Sequence, residues 1–262
     1  MNRLAACFLL GLLVVCGCDN GPPLSTLLER FAPGIHRGPN GQSLPFRLLT
    51  PVMTGQMADY PLLLVLHGAG ERGSDNAIQV CESEYVPFWA AESTQQRFPS
   101  FILVPQCPAD SQWVNVSWYR GSYGLDTVPV SGPMGLAMSL LDSLVAALPV
   151  DTARIYVTGL SMGGYGVWDL VMRRPKRFAA AVPICGGGDP SQAAAIAAVG
   201  VWAFHGALDD VVPVAASREM VAALQNAGAQ PRYTEYPDVG HFSWIPAAQE
   251  PGLADWVFAR KR

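Results

Sequence analysis

The sequence predicts a single α/β domain built on a mostly parallel sheet flanked by helices. Short apolar runs that read as strands alternate with segments of helical periodicity from residue 44 onward, the pattern left by crossovers between parallel strands. Several of those runs are almost continuously apolar, as expected of strands covered on both faces. A chain of 262 residues, half of them hydrophobic and 15% charged, is long enough for one sizeable core and too apolar for global disorder. The net charge of -4 gives no electrostatic footprint for nucleic acid, and no nucleic-acid partner is expected.

The first segment, MNRLAACFLLGLLVVCGC, reads as a targeting leader. Arg3 precedes an apolar stretch from Leu4 to Val15, which suits a secretory signal and is too short to span a bilayer. Its ending V-C-G-C resembles a bacterial lipobox, which implies a signal peptide over residues 1–17 and Cys18 as the lipidated first residue of the mature chain. Ordinary signal cleavage without lipid is the alternative. The stretch 18–41, with its Pro and Gly, is then expected to be the lipidated Cys and a tether, and 42–262 the catalytic domain. This implies a bacterial cell-envelope location with membrane contact through the anchor alone. Three cysteines outside the leader and anchor, Cys81, Cys107 and Cys185, allow at most one internal disulfide. Cys81 with Cys107 is the expected pair, because their segments follow strands expected to be neighbours.

Along the domain, Leu44 to Pro51 reads as an antiparallel opening strand, followed by strands at 61–68 and 100–106. A long irregular segment, 106–134, carries Trp113, Trp118, Tyr119 and Tyr123 among Ser and Gly. Loops of that length are usually functional, and these aromatics either line a pocket or cover apolar surface beside the sheet. A helix at 134–148 leads to a strand at 154–161, a helix at 162–173, a strand at 179–187, a helix at 191–199 and a strand at 200–206. In the next helix, 214–228, Ala216, Met220 and Leu224 repeat at four-residue spacing as a buried stripe. A last strand at 232–237 precedes a loop containing His241.

Gly159, Ser161 and Gly163 form G-x-S-x-G at the point where a predicted strand gives way to a helix. The pattern by itself is weak, since Ser and Gly fill many ordinary turns. Its strand-turn-helix placement is what the nucleophile elbow requires: small residues let strand and helix backbones meet, and the Ser hydroxyl stands at a helix N-terminus. A nucleophilic Ser needs a base, and the base needs an orienting acid. GVWAFHGALDD supplies Asp209 just after a strand, and DVGHFSW supplies His241 beyond the last one, in the chain order Ser, Asp, His. Asp210 and Asp238 are the competing acids, and Asp238 reads more simply as a turn residue after Pro237. His67 and His205 read as structural, and His36 falls in the tether.

The segments LHGAGERGSDN, VPQCP, VTGLSMGGYGVW, AVPICGGGDP, WAFHGALDDVVP and YTEYPDVGHFSW resemble the secreted α/β-hydrolase carboxylesterases related to feruloyl and acetylxylan esterases and polyhydroxybutyrate depolymerases. Similar sequences are also labelled predicted peptidases. The resemblance covers residues 44–258 and implies an α/β-hydrolase fold, with Ser161 as nucleophile, Asp209 as acid and His241 as base. It implies no cofactor and a small-molecule or carbohydrate ester as substrate, with a peptidase of the same fold or a catalytically silent binding lipoprotein as alternatives. Backbone N–H groups of Met162 and of Ala69, with Gly70 as the alternative to Ala69, are the expected oxyanion hole. Glu71 and Arg72 are expected to brace that loop. No C-x-x-C or His/Cys cluster suggests a metal.

Overall fold

The computed structural model describes residues 24–39, 41–53, 55, 57–81 and 85–262. The expected leader, Cys18 and the part of the expected tether up to residue 23 lie outside the described residues. An eight-stranded sheet forms the middle layer, in the order β1-β2-β4-β3-β5-β6-β7-β8. Its strands are β1 (Phe31–Arg37), β2 (Ser43–Leu49), β3 (Tyr60–Leu66), β4 (Phe101–Pro105), β5 (Val150–Leu160), β6 (Ala180–Ile184), β7 (Gly200–Gly206) and β8 (Arg232–Tyr236). The first two pairings, β1 with β2 and β2 with β4, are antiparallel; those from β4 through β3 to β8 are parallel.

Two-residue periodicity in the strands separates the core into two layers. In β3 all seven residues are buried. Leu62, Leu64 and Leu66 join one cluster, while Leu63 and Val65 join the other. Helices α1 (Leu24–Glu29), α2 (Ile78–Cys81), α3 (Tyr85–Ala90) and α4 (Glu92–Arg97) precede β4. The longer helices α5 (Gly132–Ala147), α6 (Met162–Arg173) and α7 (Ala215–Asn226) follow, and α8 (Trp244–Ala248) and α9 (Leu253–Phe258) close the chain. Side chains of α5, α6 and α7 fill the first cluster. Those of α1, α2, α3, α8 and α9 fill the second, and α4 is joined to α9 by the Arg97–Asp255 ion pair.

Helix α5 starts where its sequence provides a cap: the Ser131 hydroxyl accepts from the Met134 N–H at 3.1 Å and donates to the Trp113 carbonyl at 2.7 Å. The 191–199 helix is instead a 3-10 helix over Pro190–Ile196, capped by Asp189. Helices α2 to α4, α8 and α9 were not expected from the sequence. Each has only four to six residues, too few to display a helical period.

Two further expectations are corrected. The segment assigned to the tether is folded from Leu24 onward. Leu27 and Phe31 are buried, and β1 pairs with β2 from Phe31↔Leu49 to Arg37↔Ser43. Pro33 and Gly34 make the segment read as a loop, but β1 is the edge strand, where a missing N–H is tolerated, and a Cβ at Gly34 would overlap the Phe46 ring. His36 accordingly belongs to the domain, with Nε2 2.7 Å from the Ser139 hydroxyl of α5. The second correction concerns the disulfide: Cys81, Cys107 and Cys185 are all thiols. Cys107 is buried in the first cluster and Cys81 packs against the second, so the sheet separates the expected partners.

Candidate active site

In chain order β4 lies on one side of β3, and β5 lies on the other. Open α/β sheets form their crevice where the strand order reverses in this way. Ser161 leaves β5 at that point with φ 54° and ψ -117°, a conformation that costs a non-glycine residue of order 1–3 kcal/mol. Surrounding contacts hold it there. The Ser161 N–H donates to the Ile184 carbonyl of β6 at 2.9 Å, and its own carbonyl accepts from Tyr165 in the first turn of α6. Close approach of backbones makes the flanking glycines necessary: a Cβ at Gly159 would stand 2.6 Å from the Leu66 carbonyl oxygen, and one at Gly163 would overlap it.

Asp209 and His241 come to Ser161 from two loops tied to each other. After β7, the Ala207 N–H donates to the Tyr236 carbonyl and the Leu208 N–H to the Val239 carbonyl, so the acid and base loops are fixed in register. His241 Nδ1 donates to Asp209 Oδ2 at 2.8 Å, and its Nε2 lies 2.9 Å from the Ser161 hydroxyl. A carboxylate only accepts, so the ring proton sits on Nδ1 and leaves the Nε2 lone pair facing the serine. Asp210 and Asp238 are exposed and take no part in this series.

Four donors converge on Asp209. Oδ1 accepts from the Val211 and Val212 N–H groups at 2.9 and 2.8 Å. Oδ2 receives His241 and also lies 3.2 Å from His205 Nε2. Burial pushes the Asp209 pKa up, but the hydrogen bonds from His205, His241 and the two amides outweigh it and hold the carboxyl well below the usual range. His205 is fully buried, with Nδ1 on the Ser217 hydroxyl at 2.8 Å. The structural role expected of His205 is seen in its contacts: Nε2 lies 3.1 Å from the Val212 carbonyl and 3.2 Å from the Asp209 carboxylate, which ties the acid to its own loop.

Met162 is the first residue of α6, so its N–H lacks an intrahelical carbonyl. Ala69 lies half-buried in the turn after β3. That turn is braced from several sides. Arg72 donates to the Ala69 and Ser111 carbonyls, and His67 Nδ1 donates to the Gly68 carbonyl while Nε2 accepts from the Cys107 N–H. Burial lowers the His67 pKa to about 4, which keeps the ring neutral, as its accepting Nε2 demands. Of the 106–134 aromatics, Trp113 is core, donating to the His67 carbonyl. Trp118 is half-buried and Tyr119 exposed, and the Tyr123 hydroxyl donates to Asp169 of α6 at 2.9 Å.

Cys185 Sγ lies within 4.8 Å of ligand atoms of Asp209 and His241. Its residues fit a metal poorly, because burial raises the thiol pKa and the Asp209–His241 hydrogen bond uses the atoms that a cation would take.

Residues 137–248 match the sequence profile of the dienelactone hydrolase family. A solved thermostable esterase is 36% identical with a TM-score of 0.83, over 90% of this chain and 64% of that one. Poly(3-hydroxyalkanoate) depolymerase C of Paucimonas lemoignei is 26% identical over 52% of this chain and 30% of its own. A bifunctional acetylxylan esterase/xylanase of Neocallimastix patriciarum is 28% identical over 40% of this chain and 16% of its own. The chain thus spans less than two thirds of the length of each of these relatives. Its fold is that of the α/β-hydrolases, with the expected mostly parallel sheet flanked by helices.

Proposed function

We propose that this α/β-hydrolase is a cofactor-free serine carboxylesterase. The observation that carries the reading is the continuous hydrogen-bonded series Asp209–His241–Ser161, ending on the hydroxyl of a residue with strained backbone at the head of α6. His241 Nε2 takes the Ser161 proton as Oγ attacks the ester carbonyl, and Asp209 stabilises the imidazolium that results. The Met162 and Ala69 N–H groups receive the developing oxyanion. Collapse of the tetrahedral intermediate breaks the bond to the alcohol oxygen, which leaves with the proton held on His241. Water, deprotonated by the same imidazole, then attacks the acyl-enzyme and releases the acid with Ser161 restored.

Short acyl groups on alkyl, phenolic or sugar alcohols are the proposed substrate class, in keeping with the esterases and depolymerase that the chain resembles. For the cell, we propose a lipid anchor on Cys18 that holds the domain at a bacterial envelope membrane, on the strength of the V-C-G-C ending of the leader. A fluorophosphonate probe tests the chemistry: it should label Ser161, and p-nitrophenyl acetate should turn over. Cleavage of peptide p-nitroanilides with negligible turnover of every ester would replace this reading with a peptidase; no labelling and no turnover would leave a binding protein.

A further inference from the structure

We propose that Leu208, Phe242 and Ile245 form the surface that receives the leaving alcohol, and that the site prefers esters of apolar alkyl or aryl-substituted alcohols to esters of sugar hydroxyls. The inference rests on the serine-esterase reading and adds a direction to it. In acylation the departing oxygen must come within hydrogen-bonding reach of the protonated His241 Nε2. Whatever that oxygen carries must therefore pass over the side chains beside His241.

Those side chains are apolar and open to solvent. Leu208 is 63% exposed and immediately precedes Asp209, and Phe242, also 63% exposed, immediately follows His241. Ile245, 37% exposed, lies one turn further on, its N–H bonded to the Phe242 carbonyl. Trp244 supports the group: its ring is 5.5 Å from that of His241 and 4.9 Å from that of Phe242. The two loops are held together by the Leu208–Val239 backbone hydrogen bond. Between Val239 and Ile245 the sequence VGHFSWI offers one ionisable side chain, His241 itself. Single exposed apolar residues are ordinary, but two on the linked loops that carry Asp209 and His241, with a third at the start of α8, suit a ligand that covers them. A sugar ring lying on Leu208, Phe242 and Ile245 would give up water from several hydroxyls with no polar group among those side chains in return.

The test uses the full chain in detergent and one acyl group, acetate, on methanol, ethanol, butanol, benzyl alcohol and the primary hydroxyl of a methyl glucoside. These alkoxide leaving groups are close enough in basicity for binding to set the trend. kcat/KM should rise about two- to fourfold for each methylene from methyl to butyl, with the benzyl ester also favoured and the sugar ester below both. In Phe242→Ser and Leu208→Ser, checked for unchanged thermal unfolding, the butyl-to-methyl ratio should fall toward unity. A flat or falling series in the native chain overturns the inference while leaving the esterase reading intact. A rising series that neither substitution flattens overturns the assignment to these residues. Absence of turnover on every acetate together with absent labelling of Ser161 is the separate failure of the esterase reading, and the inference falls with it.

Discussion

His205 Nε2 stands 3.2 Å from Asp209 Oδ2, and both side chains are fully buried. The carboxylate that accepts from His241 is therefore flanked by a second imidazole four residues earlier, in HGALD, which shares its Nε2 N–H between Asp209 and the Val212 carbonyl. His205→Ala should lower kcat for p-nitrophenyl acetate by between about 10- and 100-fold, because a small displacement of Asp209 misaligns His241. KM should change little, since nothing in His205 reaches substrate. His205→Gln, which can still donate to the carboxylate, should recover part of the loss. A purely structural His205 would lower stability in both variants and leave kcat of the folded protein alone.

His67 makes stability depend on pH. Its folded pKa, about 4, lies below the unfolded value of about 6.5, so the unfolded chain binds a proton more readily. The stability associated with the neutral ring is present above pH ~6.5, declines as pH falls toward 4 and is exhausted below it. The shift corresponds to on the order of 3 kcal/mol across that window. Urea denaturation at a series of pH values should show this slope in the native chain and lose most of it in His67→Gln. An unchanged slope in the variant would assign it to other groups.

The parallel sheet, the sharp turn at Ser161 and the convergence of Ser161, His241 and Asp209 could be read from the sequence because each rests on local chemistry that leaves a local trace. Gly159 and Gly163 stand where a backbone carbonyl excludes any Cβ, Asp209 lies just beyond the mostly apolar β7, and His241 lies in the loop beyond β8. Strand β1 could not be read that way: the Pro and Gly of FAPGIHR argue for a loop, and only the long-range pairing with β2 overrides them. The Cys81–Cys107 expectation failed for a related reason. Neighbouring strands do not tell which face of the sheet a following loop returns to, and these two thiols lie on different faces.

Replacing Ser161, His241 or Asp209 with Ala should each reduce kcat by several orders of magnitude, on the order of 10⁴ or more, and double replacements should cost little beyond the single ones because the three act as a unit. Asp210→Ala and Asp238→Ala, both at exposed positions, should stay near native activity. Steady-state kinetics on the five variants decides the acid: loss on replacing Asp210 with retention on replacing Asp209 would mean that the observed hydrogen bonds are not the working ones.

Cys18→Ser should move the protein from the membrane to the soluble fraction of its host without altering specific activity. A lipid anchor acts through buried methylenes and has no part in ester chemistry. Mass spectrometry of the native N-terminus gives the independent readout, and an unmodified N-terminus on soluble native protein would end the lipoprotein proposal.

Asp169 of α6 joins the 106–134 loop to the helix that Ser161 begins. Its Oδ1 accepts from the Tyr123 hydroxyl at 2.9 Å and its Oδ2 from Arg173 Nε at 2.7 Å, while Arg173 also donates to the Val128 carbonyl at 2.6 Å. Burial raises the Asp169 pKa even with these donors in place, so the ionised carboxylate depends on them for its stability. Tyr123→Phe should cost about 1.5 kcal/mol, the lower end of the range for a hydrogen bond to a charged group. Asp169→Ala should cost about 3 kcal/mol or more, because it strips a buried partner from Arg173 as well. The two losses should not add: once Asp169 is gone, Tyr123 has less to lose, and the double variant should show a coupling of about 1 kcal/mol. Urea denaturation of the four proteins measures that coupling directly. Losses additive to within about 0.5 kcal/mol would show that the loop is held by its apolar contacts and not by this carboxylate.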